Sequence, residues 1–182
     1  MLEKFTLTKV IAILVKKPKK YSIRELAKTA SIGVASSKRC LDWLFSKNIV
    51  NLEKVGKVHQ YSLNLENFLT RYIKITFSLA EISDSKIINE LLKKHPSIIS
   101  VVLYGSAARG EDNPESDIDL LVISNKKLKI EPLNAEDKIE KEVTIINYAL
   151  LEWREKAKVD KPFYDRIITD GIALYGEIPL IT

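Results

Sequence analysis

One stretch constrains this 182-residue chain more than any other: two apolar, β-branched runs separated by Gly105-Ser106, ten further residues and Asp117-Ile118-Asp119. The first run, residues 98–104, reads as a buried strand, and Leu120-Leu121-Val122-Ile123 as the core of a second. Between them the order is a Gly-Ser turn, a short helix and a polar loop. Glycine lets backbone approach a neighbour with no Cβ in the way. The helical amides after it, with the Ser106 hydroxyl, suit an anion such as a triphosphate. Asp117 and Asp119 are two apart on a strand, so both carboxylates leave one face. Paired hard oxygens of this kind suit Mg²⁺ or Mn²⁺ when substrate phosphates complete the shell. Arg109, one helical turn past Ser106, reaches either a phosphate or one of the acids Glu111, Asp112 and Glu115. Ser116 either caps the strand start or touches a nucleotide.

Charge divides the chain. Residues 1–66 carry 13 Lys and Arg against 5 Asp and Glu, whereas the remainder carries 16 against 19. A basic first third suits a polyanion such as nucleic acid, with a solvated Lys-rich surface as the alternative. The whole chain is 46% apolar, too much for a disordered tail. Its longest early apolar run, Val10 to Val15, falls far short of a bilayer span and is followed by the basic run Lys16-Lys17-Pro18-Lys19-Lys20, the wrong order for a secretory signal, so no membrane segment and a cytoplasmic location are expected. Cys40 is the single cysteine, and no Cys/His cluster suggests zinc.

Within the basic third, apolar residues recur at helical spacing over residues 4–16. Ser22 and Glu25 form a capping-box pair opening a second helix. Ser31 to Gly33 is a turn, and a third helix runs from about Val34 to Lys47 with Leu41, Leu44 and Phe45 inward. Residues 49–52 and 58–63 read as strands of a hairpin with Gly56 at its tip. A helix over Asn67 to about Ile82 is apolar on more than one side, so it must pack on something. Ser83-Asp84 then caps the next helix. The predicted class is α+β: a helix-turn-helix with a wing over 1–66, a connecting helix over 67–83 and a small mixed-sheet α/β domain over 84–182.

The order helix, helix, turn, helix and basic hairpin resembles the MarR- and ArsR-like winged-helix regulators over about residues 4–65. That resemblance implies a third helix in the DNA major groove and a wing on phosphate, with Ser36, Lys38 and Arg39 facing the groove and Lys54, Lys57 and His59 on the wing. It also implies a homodimer through the connecting helix. Gly105-Ser106 followed by Asp117-Ile118-Asp119 is similar to the motif of the minimal nucleotidyltransferases of the DNA polymerase β-like superfamily, over about residues 84–178. This implies a divalent metal on Asp117 and Asp119, an NTP such as ATP, and transfer of a nucleoside monophosphate to an acceptor hydroxyl. Gly105, Ser106, Arg109 and Ser116 are its nucleotide-side residues. The superfamily's third carboxylate falls on Thr144, or on Glu142 after a two-residue slip in register. Such domains often accompany HEPN-type toxins, which implies an antitoxin-like role as one version. A DNA-binding transcription regulator whose second domain only binds nucleotide or dimerises is the other.

Overall fold

The computed structural model describes residues 5–181, so Lys4, the first residue of the expected first helix, lies outside the described residues, as do the outer ends of the two expected domains. The chain divides into two units, Met1–Ala80 and Glu81–Thr182. The class is α+β, as expected.

In the first unit, α1 (Thr6–Lys16), α2 (Ile23–Thr29) and α3 (Val34–Ser46) pack around Val10, Leu14, Leu26, Leu41 and Leu44, all essentially buried. Ser22 caps α2, its hydroxyl accepting from Glu25 N at 3.2 Å. The reciprocal half of the expected box is absent because Glu25 pairs with Lys19 instead. The turn between α2 and α3 places Ser31 at φ +53°. Ser37 then donates to Ile23 O at 3.1 Å, locking α3 onto the start of α2. Phe45 departs from expectation: it is exposed, because α3 turns only Ser37, Leu41 and Leu44 fully inward.

A three-stranded antiparallel sheet completes the unit, β1 (Tyr21–Ser22) pairing β3 (Val58–Leu63), which pairs β2 (Val50–Val55). Val55 pairs directly with Val58, so Gly56-Lys57 is a two-residue turn and the hairpin is tighter than its sequence suggests. Gly56 supplies the positive φ, +60°, that such a turn requires. The elements thus follow the order of a helix-turn-helix with a hairpin wing.

α4 (Phe68–Ser85) starts on this unit, with Asn67 Nδ2 donating to Asn48 O at 2.8 Å and Ile73 and Phe77 packing on its core. Its other apolar residues, Phe68, Leu69 and Tyr72, are exposed. The expected cap at Ser83-Asp84 does not form. The helix continues to Ser85, whose hydroxyl donates to Ile82 O and accepts from Ile87 N. The break falls at Lys86, φ +69°, and α5 (Ile87–Lys94) follows.

The second unit is built on a mixed sheet of order β6-β5-β4-β7, where β4 is Ile98–Tyr104, β5 Ile118–Ser124, β6 Val143–Ala149 and β7 Ile172–Tyr175. β4 is antiparallel to β5 and β7, and β5 is parallel to β6. α6 (Gly105–Arg109) joins β4 to the polar loop. α7 (Leu150–Val159) and α8 (Lys161–Asp170) bring Trp153 and Ile167 onto Val102, Leu121 and Ile123. Trp153 is fully buried and its indole N–H donates to Pro179 O at 2.9 Å. Beyond β5, the segment with Lys126, Lys127 and Lys129 is tied back to the sheet. Lys127 Nζ donates to Asn147 O at 2.6 Å and pairs with Glu152, and Leu128 is buried. Among the described residues no helix is long and apolar enough to cross a membrane.

Candidate active site

The register of the second sheet assembles the site. Asp119 pairs with Tyr104 of β4 on one side and with Thr144 of β6 on the other. Asp117 stands just before β5 begins, and its carboxylate is approached by the hydroxyl of Thr144. Thr144 Oγ1 lies 3.5 Å from Asp117 Oδ2, at the outer edge of hydrogen-bond range. Gly105 stands directly over Asp119: a Cβ built there would lie 2.1 Å from Asp119 Oδ2, and its φ is +73°. The glycine therefore makes room for a carboxylate of its own chain.

The loop between the motif halves is held at several points. Ser116 Oγ accepts from Asn113 N at 2.9 Å and donates to Asn113 Oδ1 at 3.1 Å, so it closes the loop and does not cap the strand. Asp112, almost fully buried, pairs with Lys141, and Ile118 N donates to Glu142 O at 2.8 Å. These bonds tie the loop to the segment that leads into β6. The Glu142 side chain itself is exposed. Arg109 Nε is 2.8 Å from Glu111 Oε2, so of its two expected partners the acid is the one engaged. Ser106 is the second residue of α6, which at five residues is one turn and carries little macrodipole.

Burial raises the Asp119 carboxyl above its ordinary range, Asp117 raises it further, and Arg109 opposes both. Burial also pushes the Tyr104 phenol up to about 12, with Asp119 and Tyr148 adding to the shift. Because the folded state holds the Asp119 proton more tightly than the unfolded chain, its contribution to stability falls as pH rises from the usual carboxylate range through the raised folded value. Asp119→Asn is therefore expected to melt at a higher temperature than the wild type at neutral pH in metal-free buffer. The difference should disappear on acidification. Thermal melts from about pH 3 to about pH 8 check the sign.

As hard oxygen donors, the two carboxylates and the Thr144 hydroxyl fit one divalent ion that takes its remaining ligands from a substrate. Among the described residues no three Asp, Glu, His or Cys side chains converge to hold a metal alone.

In the first unit, Lys38, Lys57 and His59 line one groove of about 700 Å³ together with Arg24, which the sequence reading did not single out. Arg24's signal was its place on the exposed side of a short helix, and that is shared by many surface residues. Arg39 Nη2 donates to Ser36 Oγ at 3.3 Å, Lys38 pairs with Asp42, and Lys54 stands opposite His59 in the hairpin.

The profile of the Polymerase beta, Nucleotidyltransferase family matches residues 86–178, just over half of the chain. The chain belongs to that family. The match spans the whole second sheet, α6 and both aspartates. Comparison with curated proteins finds no significant match. Among solved structures, Sso10a-2, a DNA-binding protein from Sulfolobus solfataricus, is 22% identical with a TM-score of 0.36, over 49% of this chain and 97% of that one. TrmBL2, an archaeal chromatin protein, is 16% identical with a TM-score of 0.32, over 90% of this chain and 71% of that one. Pseudomonas aeruginosa HmgR is 15% identical with a TM-score of 0.30, over 86% of this chain and 64% of that one. At these scores the likenesses assign no part of the chain a role, and the family match alone places the second unit.

Proposed function

We propose that this nucleotidyltransferase-family protein moves a nucleoside monophosphate from an NTP, ATP for preference, to an acceptor hydroxyl, and that its first unit binds DNA. The observation that carries the enzymatic half is the close approach of the Asp119 carboxylate to Gly105. A glycine at positive φ yields its side-chain space to Asp119, which stands on a strand with Asp117 just ahead of it. Asp117 and Asp119 would hold Mg²⁺ or Mn²⁺, and the ion when bound supplies positive charge against the phosphates. Gly105, Ser106 and Arg109 meet the triphosphate, Arg109 exchanging Glu111 for phosphate, while Ser116 keeps the loop closed. The acceptor oxygen attacks the α-phosphorus as its bond to the bridging oxygen of the β-phosphate breaks. Pyrophosphate leaves and the acceptor proton passes to Glu142 or to water. Incubation with ATP labelled at the α-phosphate should leave label on the acceptor, and Asp117→Asn should abolish it. Labelling that persists in that variant would sink the enzymatic reading.

The basic first unit supports the other half. Ser36, Lys38 and Arg39 on α3 face the bases, and Lys54, Lys57 and His59 on the hairpin contact phosphate, in the manner of a winged helix. Lys54→Ala/Lys57→Ala should weaken binding to all DNA sequences alike and reduce the slope of log affinity against log salt by about 2. Fluorescence anisotropy between about 50 and about 200 mM salt measures it, and an unchanged slope would contradict the assignment. Phe68, Leu69 and Tyr72 on α4 would form a homodimer contact, and a HEPN-type toxin would be the acceptor in an antitoxin-like version. Thr144 at the third position favours a second reading, a DNA-binding regulator whose second unit binds nucleotide without turning it over.

A further inference from the structure

The sheet face that bears Asp119 and Thr144 continues into a ledge of aromatic rings. Tyr104, paired with Asp119, meets Phe163 of α8 edge-on, with ring centroids 5.9 Å apart at 85°. Tyr148 lies on β6 an even number of residues beyond Thr144 and so shares its face. Lys127 stands 5.1 Å from the Tyr148 ring centroid, and Lys156 of α7, paired with Asp160, holds its ammonium 5.3 Å from that of Phe163. Tyr104, Tyr148, Lys156 and Phe163 are all half-buried. Trp153, fully buried, packs against Tyr148 and Phe163, so the ledge is backed by core and its rings are fixed. The opposite end of the β6 row is different in kind: past Thr144 it ends at the exposed carboxylate of Glu142.

An NTP with its phosphates at Asp117 and Asp119 can lay its nucleoside toward the rings or toward Glu142. The ring end offers planar surface for a base and, in Tyr104, Tyr148 and Lys156, donors for base or ribose oxygens. The Glu142 end offers acceptors and an open approach. We infer that Tyr104, Phe163, Tyr148 and Lys156 receive the nucleoside, which leaves the Glu142 end for the incoming acceptor. This rests on the nucleotide-binding reading above and adds a direction to it.

Calorimetry with Mg²⁺-ATP and Mg²⁺-tripolyphosphate separates the two ideas, because tripolyphosphate lacks the nucleoside. The wild type should bind ATP at least about ten-fold more tightly than tripolyphosphate, as base stacking on a fixed ring implies. Phe163→Leu and Tyr148→Leu should each lose about ten-fold on ATP and keep their tripolyphosphate affinity. Equal wild-type affinities for the two ligands would overturn the ledge and leave the phosphate site standing. Variants that weaken both ligands alike would also overturn it. A wild type that binds neither would remove the nucleotide reading, and the ledge with it.

Discussion

Gly105→Ala is expected to destabilise the protein by about 2–5 kcal/mol and to reduce Mg²⁺-dependent ATP affinity at least about 100-fold. The two effects share one cause. At φ +73° an L residue is strained whatever surrounds it, and here the added methyl would lie 2.1 Å from Asp119 Oδ2. The strained backbone costs about 1–2 kcal/mol and the overlap about 1–3 kcal/mol more. The neighbour that must move is Asp119, so the damage falls on the proposed metal ligand. Gly56 supplies the control: its φ is also positive, +60°, but nothing lies within 4 Å of a Cβ built there. Gly56→Ala should therefore carry the conformational cost alone, about 1–2 kcal/mol, and leave ATP binding intact. Chemical denaturation and calorimetry on both variants measure the contrast. Equal destabilisation, with ATP affinity unchanged in Gly105→Ala, would show that the glycine does not serve the carboxylate.

Thr144→Asp should raise the rate of nucleotidyl transfer at least about ten-fold. Thr144 pairs in register with Asp119, and its hydroxyl lies 3.5 Å from Asp117 Oδ2. A carboxylate there would stand beside two others, one of which is already pushed above its ordinary range. Without metal the variant should melt lower than the wild type, because three close acids repel one another. With Mg²⁺ the order should reverse, since the third acid adds a ligand and a base for the acceptor hydroxyl. Single-turnover transfer and melts with and without Mg²⁺ give the comparison. A variant that is destabilised in both buffers and transfers no faster would place the missing function elsewhere than at Thr144.

The sequence revealed most where a local pattern needs no distant partner. The β-branched runs located β4 and β5, and the two-residue spacing kept Asp117, just before β5, next to the row that Asp119 and Thr144 share. Helical periodicity found α1 to α3 for the same reason. It failed at α4, where Ser83-Asp84 looked like a cap. Serine and aspartate are also tolerated in a last helical turn, and Ser85, two residues on, makes both capping bonds. Gly105 was legible as a residue that permits close approach, but the group approaching it is Asp119, 14 residues later. Only the register of β4 against β5 reveals that. Lys127 carried no signal distinguishing it from Lys126 or Lys129, because its partners Asn147 and Glu152 arrive with β6 and α7. The ledge was hidden likewise: Tyr104, Tyr148, Lys156 and Phe163 come from two strands and two helices.

The most direct test of the account is a calorimetric titration with ATP, in the presence and absence of Mg²⁺, of the wild type beside Asp117→Asn/Asp119→Asn. The account predicts binding that requires Mg²⁺ and is lost in the double variant, with the variant still folded. A wild type that binds none of the four NTPs in Mg²⁺ would contradict it and leave a DNA-binding protein whose second unit retains the fold without the site.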